Sequence, residues 1–198
     1  MSSLVLDQQL VEARPQSPWL MRYYFARFSF SAAWVGAACA VTAAGASGAA
    51  AALLVGYQLW DAAANVVDAR RHGGLAQNPS QRFNTLVSAA AAVGLAIALR
   101  RGLNQALIVF GVWAALSGLF QLVAALRRWS TIGGQWPMIL SGAQSMIAGV
   151  ISIKAAGGPD PVTLLTLVPY VGFGAFYFLL SGLWLAVPAL RRSRSEAA

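Results

Sequence analysis

The chain has 198 residues, of which 58% are hydrophobic and 10% are charged. Soluble domains are typically about 45–50% apolar and about 25% charged, so this composition excludes a water-soluble globular protein and predicts a multi-pass membrane protein. The formal charge of +8 can indicate nucleic-acid binding, but the arginines stand at the ends of apolar runs, as charges that face lipid headgroups do. We therefore expect membrane lipids as partners and no nucleic acid.

The first 27 residues are predicted to form a cytoplasmic segment that ends in an interfacial anchor. Residues 1–18 are polar and of mixed charge, unlike a cleavable signal peptide. Aromatic rings and arginine side chains follow, a combination that suits the depth of the lipid headgroups. The residues of this anchor are Trp19, Arg22, Tyr23, Tyr24, Phe25 and Arg27.

Six apolar stretches then predict an all-α fold with six transmembrane helices, within a domain over residues 28–188. Backbone groups in lipid must pair within their own segment, which favours helices. Pro169 lies inside the last stretch and predicts a kink there. A basic cytoplasmic tail, residues 189–198, completes the chain. The stretches are roughly 28–45, 48–66, 83–99, 103–125, 136–153 and 162–188.

The positions of Lys and Arg predict that both termini are cytoplasmic. With six spans, eleven of the fourteen basic residues fall on one side of the membrane, and only Arg100, Arg101 and Lys154 fall on the other. Basic residues concentrate in cytoplasmic loops, so the richer side is assigned to the cytoplasm of a bacterial inner membrane. Paired arginines mark the cytoplasmic surface at the ends of three spans: Arg70, Arg71, Arg127, Arg128, Arg191 and Arg192.

An internal repeat relates the last two pairs of spans. Residues 113–128, WAALSGLFQLVAALRR, match residues 177–192, YFLLSGLWLAVPALRR, at nine of sixteen positions. The preceding helices show a weaker similarity, LVSAA at 86–90 beside ILSGA at 139–143. The sequence thus predicts three helical hairpins, arranged as parallel repeats about an axis along the membrane normal, unlike the inverted repeats of many transporters.

Glycines in these helices are predicted to form packing surfaces. Gly111 and Gly118 are seven residues apart, as are Gly142 and Gly149, which puts each pair on one helix face. Gly182 belongs to the repeated Ser-Gly-Leu sequence. Small residues let helix backbones approach closely in lipid. Such faces favour contacts between helices of one chain, or a homo-oligomer or membrane-protein partner.

The pattern W-x-x-x-S-G-x-x-x-L-x-x-A-L-R-R-W at 113–129, followed by Gly134 and LSGAQSMIAGVISI at 140–153, resembles the HdeD-like bacterial membrane proteins. The resemblance covers about residues 103–192. It implies a small six-span inner-membrane protein that is built from repeated hairpins and associated with acid resistance. It implies no catalytic residues.

Asp61 is the most informative polar residue, because it lies within the second span, roughly 12 Å from the cytoplasmic end. An ionisable group at this depth is costly and usually faces the interior of a bundle. A polar stripe runs along one face of its helix, and two glutamines on other helices fall in the same half of the membrane. The predicted intramembrane polar cluster is Gln58, Asp61, Asn65, Gln121 and Gln144, with Asp68 at the end of the stripe.

Two interpretations of this cluster remain open. A titratable Asp61 in a vestibule would indicate proton sensing or conduction, whereas a hydrogen-bonded Asp61 would lock helices together. Accordingly, we expect a non-enzymatic membrane protein of the HdeD-like stress-response type. The alternatives are a small channel or transporter that uses Asp61, and an accessory subunit of a larger membrane complex.

No catalytic, cofactor or metal site is predicted. Gly45-Ala46-Ser47-Gly48 resembles the serine motif of rhomboid proteases, but such a serine needs a histidine base within hydrogen-bond reach. His72 is the one histidine and is expected at the opposite membrane face. The single cysteine, Cys39, is expected to be a small buried side chain.

Overall fold

The computed structural model describes residues 18–127 and 136–196, and all regular structure in these residues is helical. Six helices are long and apolar enough to cross a membrane, which confirms the predicted fold class. They are α1 (Pro18–Ala43), α2 (Ser47–Arg71), α3 (Pro79–Ala98), α4 (Leu103–Arg127), α5 (Trp136–Ala156) and α6 (Val168–Glu196).

The outer helices extend beyond the apolar stretches. The predicted domain boundary after residue 27 falls inside α1, and the boundary after residue 188 falls inside α6. Hydropathy marks only the lipid-facing part of a helix, whereas its backbone hydrogen bonds continue into the headgroup region. The interfacial anchor and the predicted basic tail are therefore largely turns of the first and last helices.

Short turns join neighbouring helices. Between α1 and α2 the chain reverses at Gly45, whose φ is +63°, and between α3 and α4 a 3-10 turn, Leu99–Arg101, leads to Gly102, whose φ is +114°. Both angles lie in the left-handed region, which glycine adopts without a steric cost. Arg100 and Arg101 are exposed in this turn.

Pro169, expected inside the last span, is the second residue of α6. A 3-10 turn, Leu164–Leu167, precedes it, and this turn begins with a capping box between Thr163 and Thr166. The first residues of a helix have no N–H acceptor within the helix, so proline costs no hydrogen bond there. The predicted kink is therefore wrong, and Pro169 helps to start the helix.

The chain divides into two compact units. In the smaller unit, described over residues 18–30 and 174–196, Arg27 contacts one aromatic ring of the anchor and one of α6. Its Nη1 donates a hydrogen bond to the Tyr23 hydroxyl at 3.1 Å, and its guanidinium lies 4.5 Å from the centre of the Phe178 ring. Trp19 stacks on Tyr23 at 5.1 Å. In the larger unit, residues 31–173, α2 packs on α3, α3 on α4, and α4 on α5.

Cys39 is exposed, so the expectation that it is buried is wrong. The side chain lies on the surface of α1, where the surrounding medium of a membrane helix is hydrocarbon. A small apolar side chain suits that surface as well as it suits a core, and hydropathy therefore does not separate the two environments.

Candidate functional site

The antiparallel helices α4 and α5 of the larger unit meet backbone to backbone at two pairs of glycines. Gly118 faces Gly142, and Gly111 faces Gly149. A Cβ atom on Gly118 would lie 2.5 Å from the Gly142 carbonyl oxygen, and one on Gly149 would lie 2.5 Å from the Gly111 carbonyl oxygen. The two backbones thus approach to a distance that only glycine permits.

These four glycines are buried against each other within one chain. We therefore expect any homo-oligomer or protein partner to contact other surfaces. Gly182 packs in the smaller unit, where a Cβ on it would lie 3.3 Å from the Phe25 ring.

Asp61 accepts hydrogen bonds from two side chains near the middle of the membrane-spanning region. The Ser88 hydroxyl on α3 donates to its Oδ2 at 2.8 Å. The Asn65 amide on α2 donates to the same oxygen at 3.2 Å and to the Asp61 backbone oxygen at 2.8 Å. Asp61 lies ten residues before the end of α2 at Arg71, or about 15 Å along the helix axis. The carboxylate is thus held at depth by donors from two helices.

Trp113 extends this hydrogen-bond chain to a third helix. Its indole Nε1 on α4 donates to the Ser88 hydroxyl oxygen at 3.0 Å, while Ser88 donates onward to Asp61. Ser88 and Trp113 are 1% and 5% exposed. A buried indole N–H that lacked an acceptor in lipid would be costly, and Ser88 supplies that acceptor. The chain Trp113–Ser88–Asp61 therefore ties α4, α3 and α2 together, and we call it the aspartate lock.

Aromatic rings enclose the aspartate lock on one side. The Trp113 ring lies 6.3 Å from Tyr57 and 5.8 Å from Tyr170 in edge-on contacts, and 5.2 Å from Phe110. Tyr57 in turn contacts Trp34, whose Nε1 donates to a backbone oxygen of α2 at 2.9 Å. Such edge-on pairs stabilise packing beyond the area that they bury.

Gln58 lies three residues before Asp61 on α2 and is fully buried, with 0% of its surface exposed. Its side-chain oxygen and nitrogen have no hydrogen-bond partner among residues 18–127 and 136–196. A primary amide can donate two hydrogen bonds and accept two. Gln58 is thus next to the aspartate lock on one helix face but is not bonded to it.

The polar stripe of α2 ends in a second set of contacts with α3. Gln81 on α3 donates to Asp68 Oδ2 at 2.9 Å. His72 Nδ1 lies 2.8 Å from the Asp68 backbone oxygen and 3.3 Å from its carboxylate. Asn78 closes the loop by donating to the backbone oxygens of His72 and Gly74. The stripe therefore faces α3 at both Asp61 and Asp68.

The two predicted glutamines lie on the α4–α5 pair. The Cβ of Gln121 is 3.4 Å from the position that a Cβ on Gly142 would take, so Gln121 lines the glycine contact. Gln144 is partly buried on α5, beside Ser145. The Ser145 hydroxyl donates to the Ala114 backbone oxygen at 2.9 Å and lies 3.1 Å from the Tyr170 hydroxyl. Ser88, whose hydroxyl joins Asp61 to α3, lies outside the predicted cluster.

The basic residues predicted for the membrane surface lie at helix ends. Arg70 and Arg71 are exposed in the last turn of α2. Arg127 ends α4, and Arg191 and Arg192 lie in the last turns of α6. Arg128 lies outside the described residues. Ser47 begins α2 and His72 follows its last residue, about 37 Å apart by helix rise, so the rhomboid-like pair does not form.

Across residues 18–127 and 136–196, no group of three or more His, Cys, Asp or Glu side chains is placed to hold a metal ion. The chemistry that the aspartate lock offers is hydrogen bonding by one carboxylate, one hydroxyl and one indole. Sequence reasoning missed Ser88 and Trp113, although Trp113 opens the repeated segment. Both residues could have been found from their polar atoms, since a hydroxyl or an indole N–H in the middle of a membrane span needs a hydrogen-bond partner.

Comparison with known proteins gives a family match over the middle of the chain. Residues 84–154, which run from α3 through α4 to α5, match a family described as a short repeat of unknown function, DUF308. No curated protein and no solved structure matches the chain at a significant level. The matched residues include Ser88, Trp113 and the four facing glycines, so this part of a multi-pass helical membrane protein is similar to the DUF308 repeat.

Proposed function

We propose that this chain is a non-enzymatic protein of the bacterial inner membrane with an HdeD-like role in resistance to acid stress. DUF308 is the family to which HdeD-like membrane proteins belong. The match over residues 84–154 and the sequence resemblance over 103–192 cover the same helices, α4 and α5. Both termini are proposed to be cytoplasmic, in agreement with the arginines at the ends of α2, α4 and α6.

The observation that carries the proposal is the aspartate lock. In a channel or transporter built on Asp61, this carboxylate would be offered to a passing ion. Instead, Asp61 Oδ2 accepts hydrogen bonds from Ser88 and Asn65, and Ser88 is itself held by Trp113. This arrangement supports a structural role for Asp61, in which it fixes the relative positions of three helices.

The test combines an acid challenge with a flux measurement. A strain of the encoding bacterium that lacks the gene is complemented with the wild type, with Ser88→Ala or with Ser80→Ala, a matched change at the start of α3. We expect wild type and Ser80→Ala to restore survival at low pH and Ser88→Ala to restore less, in parallel with a lower amount of folded protein in the membrane.

Purified protein in liposomes provides the complementary measurement. We expect no proton or monovalent-cation flux above that of empty liposomes. Flux that disappears in Asp61→Asn, while that variant still assembles, would overturn the structural role and favour a channel. Equal acid survival with and without the gene would overturn the stress role.

A further inference from the structure

We propose that Gln58 and Asp61 form one side of an internal water-binding site beside the aspartate lock. This inference goes beyond the proposed function, because it concerns a ligand of the larger unit and stands whether or not the protein acts in acid stress. Its basis is the burial and bonding of Gln58.

Within the described residues of the larger unit, the buried Gln58 side chain has both of its polar atoms without a hydrogen-bond partner. Of the four buried polar residues in the described ranges, Ser88 donates to Asp61, whereas Gln58 has neither its oxygen nor its nitrogen bonded to protein. Buried polar groups in folded proteins are nearly always hydrogen-bonded, to protein or to ordered water. The cost of an orphaned amide is larger in a membrane domain, because lipid offers no substitute partner.

The position of Gln58 on α2 places such a water close to Asp61. Residues 58 and 61 are neighbours on one helix face, with Cβ atoms roughly 5–6 Å apart. Asn65, at a similar spacing, bonds directly to Asp61 at 3.2 Å, whereas the Gln58 amide makes no such bond. Its oxygen and nitrogen are therefore left for a water that bridges the two side chains. The Tyr57 ring, between Trp34 at 5.5 Å and Trp113 at 6.3 Å, flanks the same turn of α2.

The chemistry of the two side chains selects water over an ion. An amide presents a donor and an acceptor together, and a small neutral molecule that both donates and accepts satisfies them. A bound cation would satisfy the Gln58 oxygen but would leave the amide N–H₂ unpaired, and an anion would meet the Asp61 carboxylate. Internal waters typically make about three hydrogen bonds to such groups.

Hydroxyl-radical footprinting with synchrotron X-rays tests the proposal on the full chain in lipid nanodiscs. Water held inside a protein generates radicals locally and oxidises adjacent buried rings. We expect Tyr57 and Trp113, which are 8% and 5% exposed, to be oxidised in the wild type. Their oxidation should fall several-fold in Gln58→Leu. The exposed glutamine of α4 supplies the matched control, since Gln105→Leu should leave both rates unchanged.

Thermal stability supplies a second, independent readout. If the site holds no water, the unbonded Gln58 amide destabilises the protein, so Gln58→Leu would raise the melting temperature. If the site holds water, Gln58→Leu should leave the melting temperature unchanged or lower it. Wild-type protein in which neither Tyr57 nor Trp113 is oxidised would overturn the proposal without any variant. A higher melting temperature for Gln58→Leu, with unchanged oxidation of both rings, would overturn it as well.

Discussion

Replacing Gly118 with alanine tests the close approach of α4 and α5. The added Cβ would lie 2.5 Å from the Gly142 carbonyl oxygen and 2.7 Å from the Met146 nitrogen. Both atoms belong to the α5 backbone, so no side chain can rotate to make room. An ordinary contact of about 3.4 Å requires the helices to separate locally by about 0.9 Å, the difference between 3.4 Å and 2.5 Å.

The size of the effect follows from two opposing terms. Overpacking of this kind typically costs about 1–3 kcal/mol. Alanine in a helix interior recovers at most about 1 kcal/mol relative to glycine. We therefore expect Gly118→Ala to lower the free energy of unfolding by about 1–2 kcal/mol and the melting temperature by roughly 2–8 °C, taking about 2–4 °C per kcal/mol for a chain of this size.

Gly56→Ala is the matched control, because a Cβ at Gly56 on α2 would meet no atom within 4 Å. It gains the same helix propensity with no clash and should be neutral or slightly stabilising. Both variants are melted in the same detergent and followed by far-ultraviolet circular dichroism. A Gly118→Ala protein as stable as Gly56→Ala would refute the close backbone contact. In a double-mutant cycle with Gly142→Ala we expect the two losses to be non-additive, since one separation relieves both clashes.

The aspartate lock gives two further predictions. Ser88→Ala should destabilise the protein by about 2–3 kcal/mol, because it removes a hydrogen-bond partner from both the Trp113 N–H and the Asp61 carboxylate. Asp61→Asn should destabilise it less, because an asparagine oxygen still accepts from Ser88. Denaturant titration measures both free energies of unfolding, and the reverse order would contradict the prediction. Trp113→Phe should lower the free energy of unfolding by about 1–2 kcal/mol, with little red shift in the fluorescence of the remaining tryptophans. Trp184→Phe, at a side chain that is 74% exposed, should leave the stability unchanged. Equal stability of the two variants would show that Trp113 does not contribute to the aspartate lock.

The six helices could be predicted because lipid imposes a simple rule on the sequence. A span needs a long apolar segment, and its backbone must bond internally, so hydropathy alone locates α1 to α6. The glycine spacing was equally informative, since residues that are seven positions apart lie on the same face of a helix. The structure places Gly111 opposite Gly149 and Gly118 opposite Gly142.

The partners of Asp61 could not be predicted in the same way. Periodicity places polar residues on a face of their own helix, and it correctly groups Asp61 with Asn65, which bond to each other. It does not say which neighbouring helix meets that face. Ser88 is a short, weakly polar residue in an alanine-rich helix, and it became significant only through contact with α2 and α4. The expectation that Cys39 is buried was wrong for a related reason, because the core and the lipid-facing surface are equally apolar.

The internal repeat shows how one motif can serve two different contacts. Gly118 and Gly182 occupy matching positions of the repeated segment. A Cβ on Gly118 would meet backbone atoms at 2.5 Å and 2.7 Å, whereas the nearest atoms to a Cβ on Gly182 belong to the Phe25 ring, at 3.3 Å. A ring can tilt by a few tenths of an ångström and a helix backbone cannot, so Gly182→Ala should change the melting temperature by no more than about 2 °C, or under 1 kcal/mol. If Gly118→Ala and Gly182→Ala lowered the melting temperature equally, the two glycines of the repeat would make equally close contacts, and the reasoning would be refuted.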